Sequence, residues 1–140
     1  MWGLRWPWAR DVAQRMQAIG RAFPGLDADV ITLQEVWTSE IGQILTKAGT
    51  RAGLIHHFDA QALTGDSGLV VLSRHPISAA RFEPYLMRGL PERVWHADYW
   101  GGKGYAQLEI STPAGPLALI DTHLHAQYDA HAYPSYRTIR

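Results

Sequence analysis

Asp29-Val30-Ile31-Thr32-Leu33-Gln34-Glu35-Val36-Trp37 is the stretch from which the fold can be read. Val30 to Leu33 is mostly β-branched and nearly continuous, the pattern of a strand covered on both faces rather than one. Amphipathic helices flank it. Over Asp11 to Phe23, the residues Val12, Met16, Ile19 and Phe23 recur at spacings of four and three, with Arg15, Gln17 and Arg21 between them. That spacing predicts a helix, with Asp11 in its first turn and Pro24-Gly25 as its stop. After the strand, Thr38 or Ser39 caps a second short helix whose Ile41, Ile44, Leu45 and Ala48 form one stripe before Gly49 ends it.

Further along, the pattern turns to β. Gly53 to Phe58 and Gly68 to Ser73 read as strands separated by a polar loop through Gly65-Asp66-Ser67, and Pro76 stops the second. Arg81 to Leu86 is a weaker strand, and Met87 to Gly102 reads as loop, punctuated by Gly89-Leu90-Pro91 and Gly101-Gly102. Tyr105 to Ile110 alternates, then turns through Thr112-Pro113-Ala114-Gly115-Pro116 into Leu117 to Thr122, a hairpin. The 140 residues make one α+β domain at most.

Composition removes several function classes. Thirteen basic and thirteen acidic residues cancel, so no global field draws the chain to nucleic acid or to anionic lipid. Without cysteine there are no disulfide staples, thiolate metal sites or cysteine nucleophiles. No stretch approaches the roughly 20 apolar residues of a membrane span. Met1 to Trp8 carries three tryptophans but no apolar core of a signal peptide. These signals leave the compartment undetermined.

Three positions could carry chemistry. Glu35 lies just past the apolar strand, where α/β sites assemble, and a hard divalent cation takes carboxylate oxygens there; a solvated glutamate at a strand exit looks the same. His123 and His125 are an i, i+2 pair in Asp121-Thr122-His123-Leu124-His125-Ala126, so both imidazoles point to one face and could meet one ligand. A hydrogen-bonded histidine at a half-buried strand end is the plainer alternative. Lys103 is one of only two lysines and stands among glycines in Gly101-Gly102-Lys103-Gly104, where the backbone can approach a phosphate and the ammonium can neutralise it. A solvated lysine entering a hairpin fits equally. Arg74-His75-Pro76 reads as an anion site or, more simply, as a polar strand exit. His56 and His57 face opposite sides of a strand.

Order changes the weighing. The Leu33-Gln34-Glu35-Val36-Trp37 segment is followed by Gly68 to Ile77, then by Gly102-Lys103-Gly104-Tyr105, then by Asp121 to Ala126. This succession resembles the endonuclease/exonuclease/phosphatase superfamily over nearly the whole chain. The segment Asp98 to Lys103 before a strand, and Thr122-His123-Leu124-His125-Ala126 followed by Tyr128, are most similar to the neutral sphingomyelinases. The resemblance implies part of a four-layer α/β/β/α sandwich and a Mg²⁺-dependent phosphodiesterase. It implies that Glu35 holds the metal, that His123 contacts the scissile phosphate or protonates the leaving oxygen, and that Lys103 stabilises phosphate charge with Asp98 as its partner. His125 would contact substrate. The implied substrate is a phospholipid of the sphingomyelin type, cleaved to ceramide and phosphocholine, rather than nucleic acid.

The same resemblance implies that residues 1–140 are roughly the N-terminal half of such a domain. The family's opening strand ends in an asparagine before a Trp-Gly pair, whereas Trp2-Gly3 follows only Met1, and the later Gly-Asp-x-Asn and Ser-Asp-His motifs do not occur. The isolated 140 residues are therefore expected to hydrolyse little. Alternatives are a nuclease or phosphoinositide phosphatase of the same superfamily, and a non-catalytic fragment. Trp95, Tyr99 and Trp100 read as a peripheral membrane contact or, more commonly for loop aromatics, as packing on the sandwich.

Overall fold

The computed structural model describes residues 11–62, 65–86 and 102–124. Two helices and six strands follow in the order α1 (Val12–Leu26), β1 (Val30–Val36), α2 (Ser39–Arg51), β2 (His56–Ala62), β3 (Gly65–Ser73), β4 (Ile77–Pro84), β5 (Gly104–Thr112) and β6 (Gly115–Thr122). The strands form two antiparallel sheets, β1-β3-β2 and β4-β5-β6.

β3 is the centre of the molecule, and its alternation sets the layers. Val70 and Leu72 pack with Phe23 of α1, Leu45 of α2 and Val36 of β1. Leu69 and Val71 point the other way, against Ala106 and Leu108 of β5. All four are at most 1% exposed, each contributing roughly 2 kcal/mol of transfer free energy. Helices, first sheet and second sheet are thus three stacked layers, and the unbroken apolar run in β3 follows from burial on both faces. The two helices sit close because Gly20 lacks a side chain: a Cβ there would meet that of Ala48 at 2.5 Å.

Element types follow the sequence, while several boundaries do not. α1 continues through Pro24 to Leu26 and ends at Asp27 in the left-handed conformation. The proline is tolerated because it stands in the last turn, where it forfeits one late hydrogen bond. α2 continues past Gly49 to Arg51. Gly49 is a packing residue instead of a cap, since a Cβ there would lie 2.9 Å from Leu72 Cδ1. Thr38 is the N-cap, its hydroxyl accepting from the Ile41 amide at 3.3 Å. Gly65-Asp66-Ser67 is strand and not loop, because β2 and β3 continue pairing out to Ala62↔Gly65. β4 starts at Ile77, earlier than expected, and pairs with β5 from Ile110 onward. The hairpin turn is Thr112 to Gly115, tighter than the five residues expected.

Candidate active site

The site grows out of an irregularity in β1. Between the pairs Leu33↔Val70 and Val36↔Gly68, β1 advances three residues while β3 advances two, which is a β-bulge. Glu35 supplies the extra residue and does so with φ 63°, in the left-handed region. Regular alternation would send residue 35 after Ile31 and Leu33 into the helix-facing core. Val36 takes that place instead, 4% exposed among Phe23 and Leu45. Glu35 is thereby turned out of the sheet, with its carboxylate 61% exposed. A left-handed non-glycine residue costs about 1–2 kcal/mol, a strain that gathers at functional sites.

The carboxylate meets residues from the second sheet. Glu35 Oε1 lies 3.1 Å from Nε2 of His123, which follows β6. The same nitrogen lies 3.5 Å from Nζ of Lys103, which precedes β5 and also donates to the Leu124 carbonyl at 2.9 Å. Lys103 is buried, 8% exposed, so its charge works in a medium less screening than water. A carboxylate, an imidazole and an ammonium therefore share one cleft at the ends of β1, β5 and β6. Protonated, His123 Nε2 donates to Glu35; unprotonated, it can accept from Lys103.

Three further residues shape the cleft. Trp37 Nε1 donates to Glu35 Oε2 at 2.6 Å, and its ring is centred 6.2 Å from that of His123 at a 38° tilt. Gln34 Nε2 reaches across the two sheets to Asp121 Oδ1 at 2.7 Å. Asp121 is 5% exposed, and its Oδ2 has no hydrogen-bond partner among the described residues. Burial raises the Asp121 pKa above the ordinary carboxylate value, although the Gln34 bond, the Thr122 amide and the charge of His123 oppose the rise. Gln34 immediately precedes Glu35, and Asp121 lies two residues before His123, so this clasp holds the two ends of the site together.

Of the five site residues expected from sequence, Glu35, Lys103 and His123 come together, whereas Asp98 and His125 lie outside the described residues. Trp95, Tyr99, Trp100, Tyr128 and the amino-terminal tryptophans lie outside them as well. Arg74 and His75 are elsewhere: they pair with Asp29 at 3.4 and 3.8 Å, at the opposite end of β1. That is the polar strand exit and not an anion site. His56 is half-buried and His57 exposed, as their opposite facing requires. Gln34, Trp37 and Asp121 were not picked out as site residues from the sequence. The polar pair Thr32 and Gln34, an i, i+2 pair on one face of β1, was the available signal.

A hard cation suits this donor set in one way. Among the described residues no group of three or more His, Asp or Glu gathers. Glu35 offers one exposed carboxylate, and Mg²⁺ is commonly held by one or two carboxylates, with water and substrate phosphate completing its shell. The residues fit an ion of that kind, bound through Glu35.

The profile of the endonuclease/exonuclease/phosphatase family matches residues 4–133. Among curated proteins, the chain is 31% identical over 129 residues to the human protein named sphingomyelin phosphodiesterase 2, covering 91% of this chain and 30% of that one. It is 32% identical over 128 residues to the inositol phosphosphingolipids phospholipase C of Schizosaccharomyces pombe, with coverage of 91% and 30%. The chain thus spans about a third of the length of the curated relatives it matches. Among solved structures, sphingomyelinase C from Streptomyces griseocarneus superposes with a TM-score of 0.74 at 20% identity, over 90% of this chain and 46% of that one. Beta toxin from Staphylococcus aureus, in a form with bound magnesium ions, superposes with a TM-score of 0.72 at 16% identity, over 90% and 47%. These likenesses establish the sandwich fold. Among the described residues no helix is long and apolar enough to cross a membrane.

Proposed function

Since the chain belongs to the endonuclease/exonuclease/phosphatase family, we propose that it supplies one half of the active cleft of a Mg²⁺-dependent sphingolipid phosphodiesterase. The substrate is a phospholipid of the sphingomyelin type, hydrolysed to ceramide and phosphocholine. The observation that carries this reading is the convergence of Glu35, His123 and Lys103 at 3.1 and 3.5 Å around one imidazole nitrogen.

In the overall reaction a water oxygen bonds to phosphorus and gives up a proton, the bond from phosphorus to the ceramide oxygen breaks, and that oxygen takes up a proton. Glu35 would hold Mg²⁺, and the ion would supply Lewis-acid polarisation of a phosphoryl oxygen. Lys103 is fixed by the Leu124 carbonyl, so its ammonium faces developing phosphoryl charge without reorganising. His123 Nε2 holds a proton against Glu35 and delivers it to the leaving oxygen. Asp98 and His125 are assigned to phosphate charge balance and to substrate contact. The net charge of zero speaks against nucleic acid, whose binders carry a basic footprint. An inositol phosphosphingolipid is the second candidate, favoured by the 32% identity to the fission-yeast phospholipase C.

The test is phosphocholine release from sphingomyelin vesicles by the protein at its natural length, run beside inositol phosphosphingolipid. Activity should vanish in EDTA, return with Mg²⁺, and fall by orders of magnitude in Glu35→Ala and His123→Ala. Turnover indifferent to EDTA and to Glu35→Ala would refute the assignment.

A further inference from the structure

Glu35 leaves the sheet on a left-handed residue with its carboxylate 61% exposed, so the backbone aims the side chain but does not fix the plane of its oxygens. Two neighbours do that. His123 holds Oε1 at 3.1 Å, and the Trp37 indole N–H holds Oε2 at 2.6 Å. The indole is itself held. A Cβ at Gly68 would lie 3.0 Å from its Cε3 and Cζ3 and 3.2 Å from Cη2, so the ring rests directly on the Gly68 backbone. Gly68 has φ 74°, which together with the ring makes any side chain there costly.

The geometry points to Trp37 as the positioning residue for the metal-holding carboxylate, with Gly68 as the seat of its ring. This inference rests on the phosphodiesterase reading and deepens it. An indole N–H can only donate, so it fixes one carboxylate oxygen without competing as a ligand. Mg²⁺ is commonly held by only one or two carboxylates, so the aim of each one matters. The loss of a partner that orients a ligand typically costs 10- to 100-fold in metal affinity or activity.

The experiment is Trp37→Phe in the protein at its natural length, beside a protein with benzothienylalanine at position 37. The analogue keeps the bicyclic shape and replaces the N–H by sulfur, so it fills the seat on Gly68 that the smaller phenylalanine leaves partly empty. Calorimetric Mg²⁺ titration without lipid should show a dissociation constant raised about 10-fold or more in both variants. At low Mg²⁺ kcat should fall by a similar factor and recover as Mg²⁺ is raised, while KM for lipid stays within about twofold and the melting midpoint of the analogue is unchanged. Wild-type Mg²⁺ affinity in the analogue, with Glu35→Ala inactive, overturns the positioning role and leaves the phosphodiesterase reading standing. Full activity in Glu35→Ala overturns both.

Discussion

Replacing Glu35 by glycine should stabilise the protein relative to replacing it by alanine, and both replacements should abolish turnover. Glu35 has φ 63°, a conformation that penalises any side chain by about 1–2 kcal/mol through the clash of Cβ with the backbone. Alanine keeps that Cβ and glycine removes it. Both variants lose the same pair with His123, which is discounted in any case because the carboxylate is 61% exposed. The difference between them therefore isolates the backbone. Glycine should be ahead by about 1 kcal/mol, or roughly 3 °C in melting temperature for a domain of this size. At an ordinary strand position the ranking reverses, with alanine ahead by roughly 0.5–1 kcal/mol. The sign alone decides, and urea and thermal unfolding of the two variants read it. Equal stabilities, or alanine above glycine, would remove the left-handed bulge and with it the reason Glu35 leaves the helix-facing core.

Other outcomes follow from the neighbouring residues. Burial raises the Asp121 pKa, so its contribution to stability is complete below the ordinary carboxylate range and is lost as pH rises through the raised value. Asp121→Asn, which keeps an oxygen for Gln34, should gain on the order of 1 kcal/mol at neutral pH, and the gain should shrink toward acid in unfolding curves taken across that range. Gly104→Ala should cost about 2 kcal/mol in urea unfolding, since the added carbon would sit 2.7 Å from Phe82 Cζ and against the Glu83 and Pro84 backbone. Lys103→Met should keep the aliphatic packing and delete the charge, lowering kcat about 100-fold with a stability loss near 1 kcal/mol, read by initial rates beside a melting curve.

The fold was legible where burial leaves a periodic trace. The stripe on α2 and the unbroken run in β3 each report which faces are covered, and the spacing in α1 does so through Met16 and Phe23, while Ile19 is exposed. Boundaries were less legible where glycine serves packing, as Gly49 does beneath Leu72, and where proline stands in a last helical turn, as Pro24 does. Glu35, Lys103 and His123 could be singled out because their residue types are unusual at their positions. The bulge could not, because nothing local distinguishes a glutamate that continues a strand from one that interrupts it. The Gln34 and Asp121 clasp joins residues 87 positions apart, a distance that no window along the chain spans.

The alternation of β3 divides responsibility between adjacent residues. Val70 and Leu72 answer to the helices, and Leu69 and Val71 answer to the sheet that bears Lys103 and His123. A change of bulk at one position and the same change at the next are therefore felt in separate compartments. Drift at the helix-facing positions is felt first at Phe23, Leu45 and Val36. Drift at the other two alters the gap between the sheets, and so alters how far His123 stands from Glu35 without touching either. The spacing between the sheets can be retuned from beneath, by residues that take no part in the Glu35–His123–Lys103 cluster.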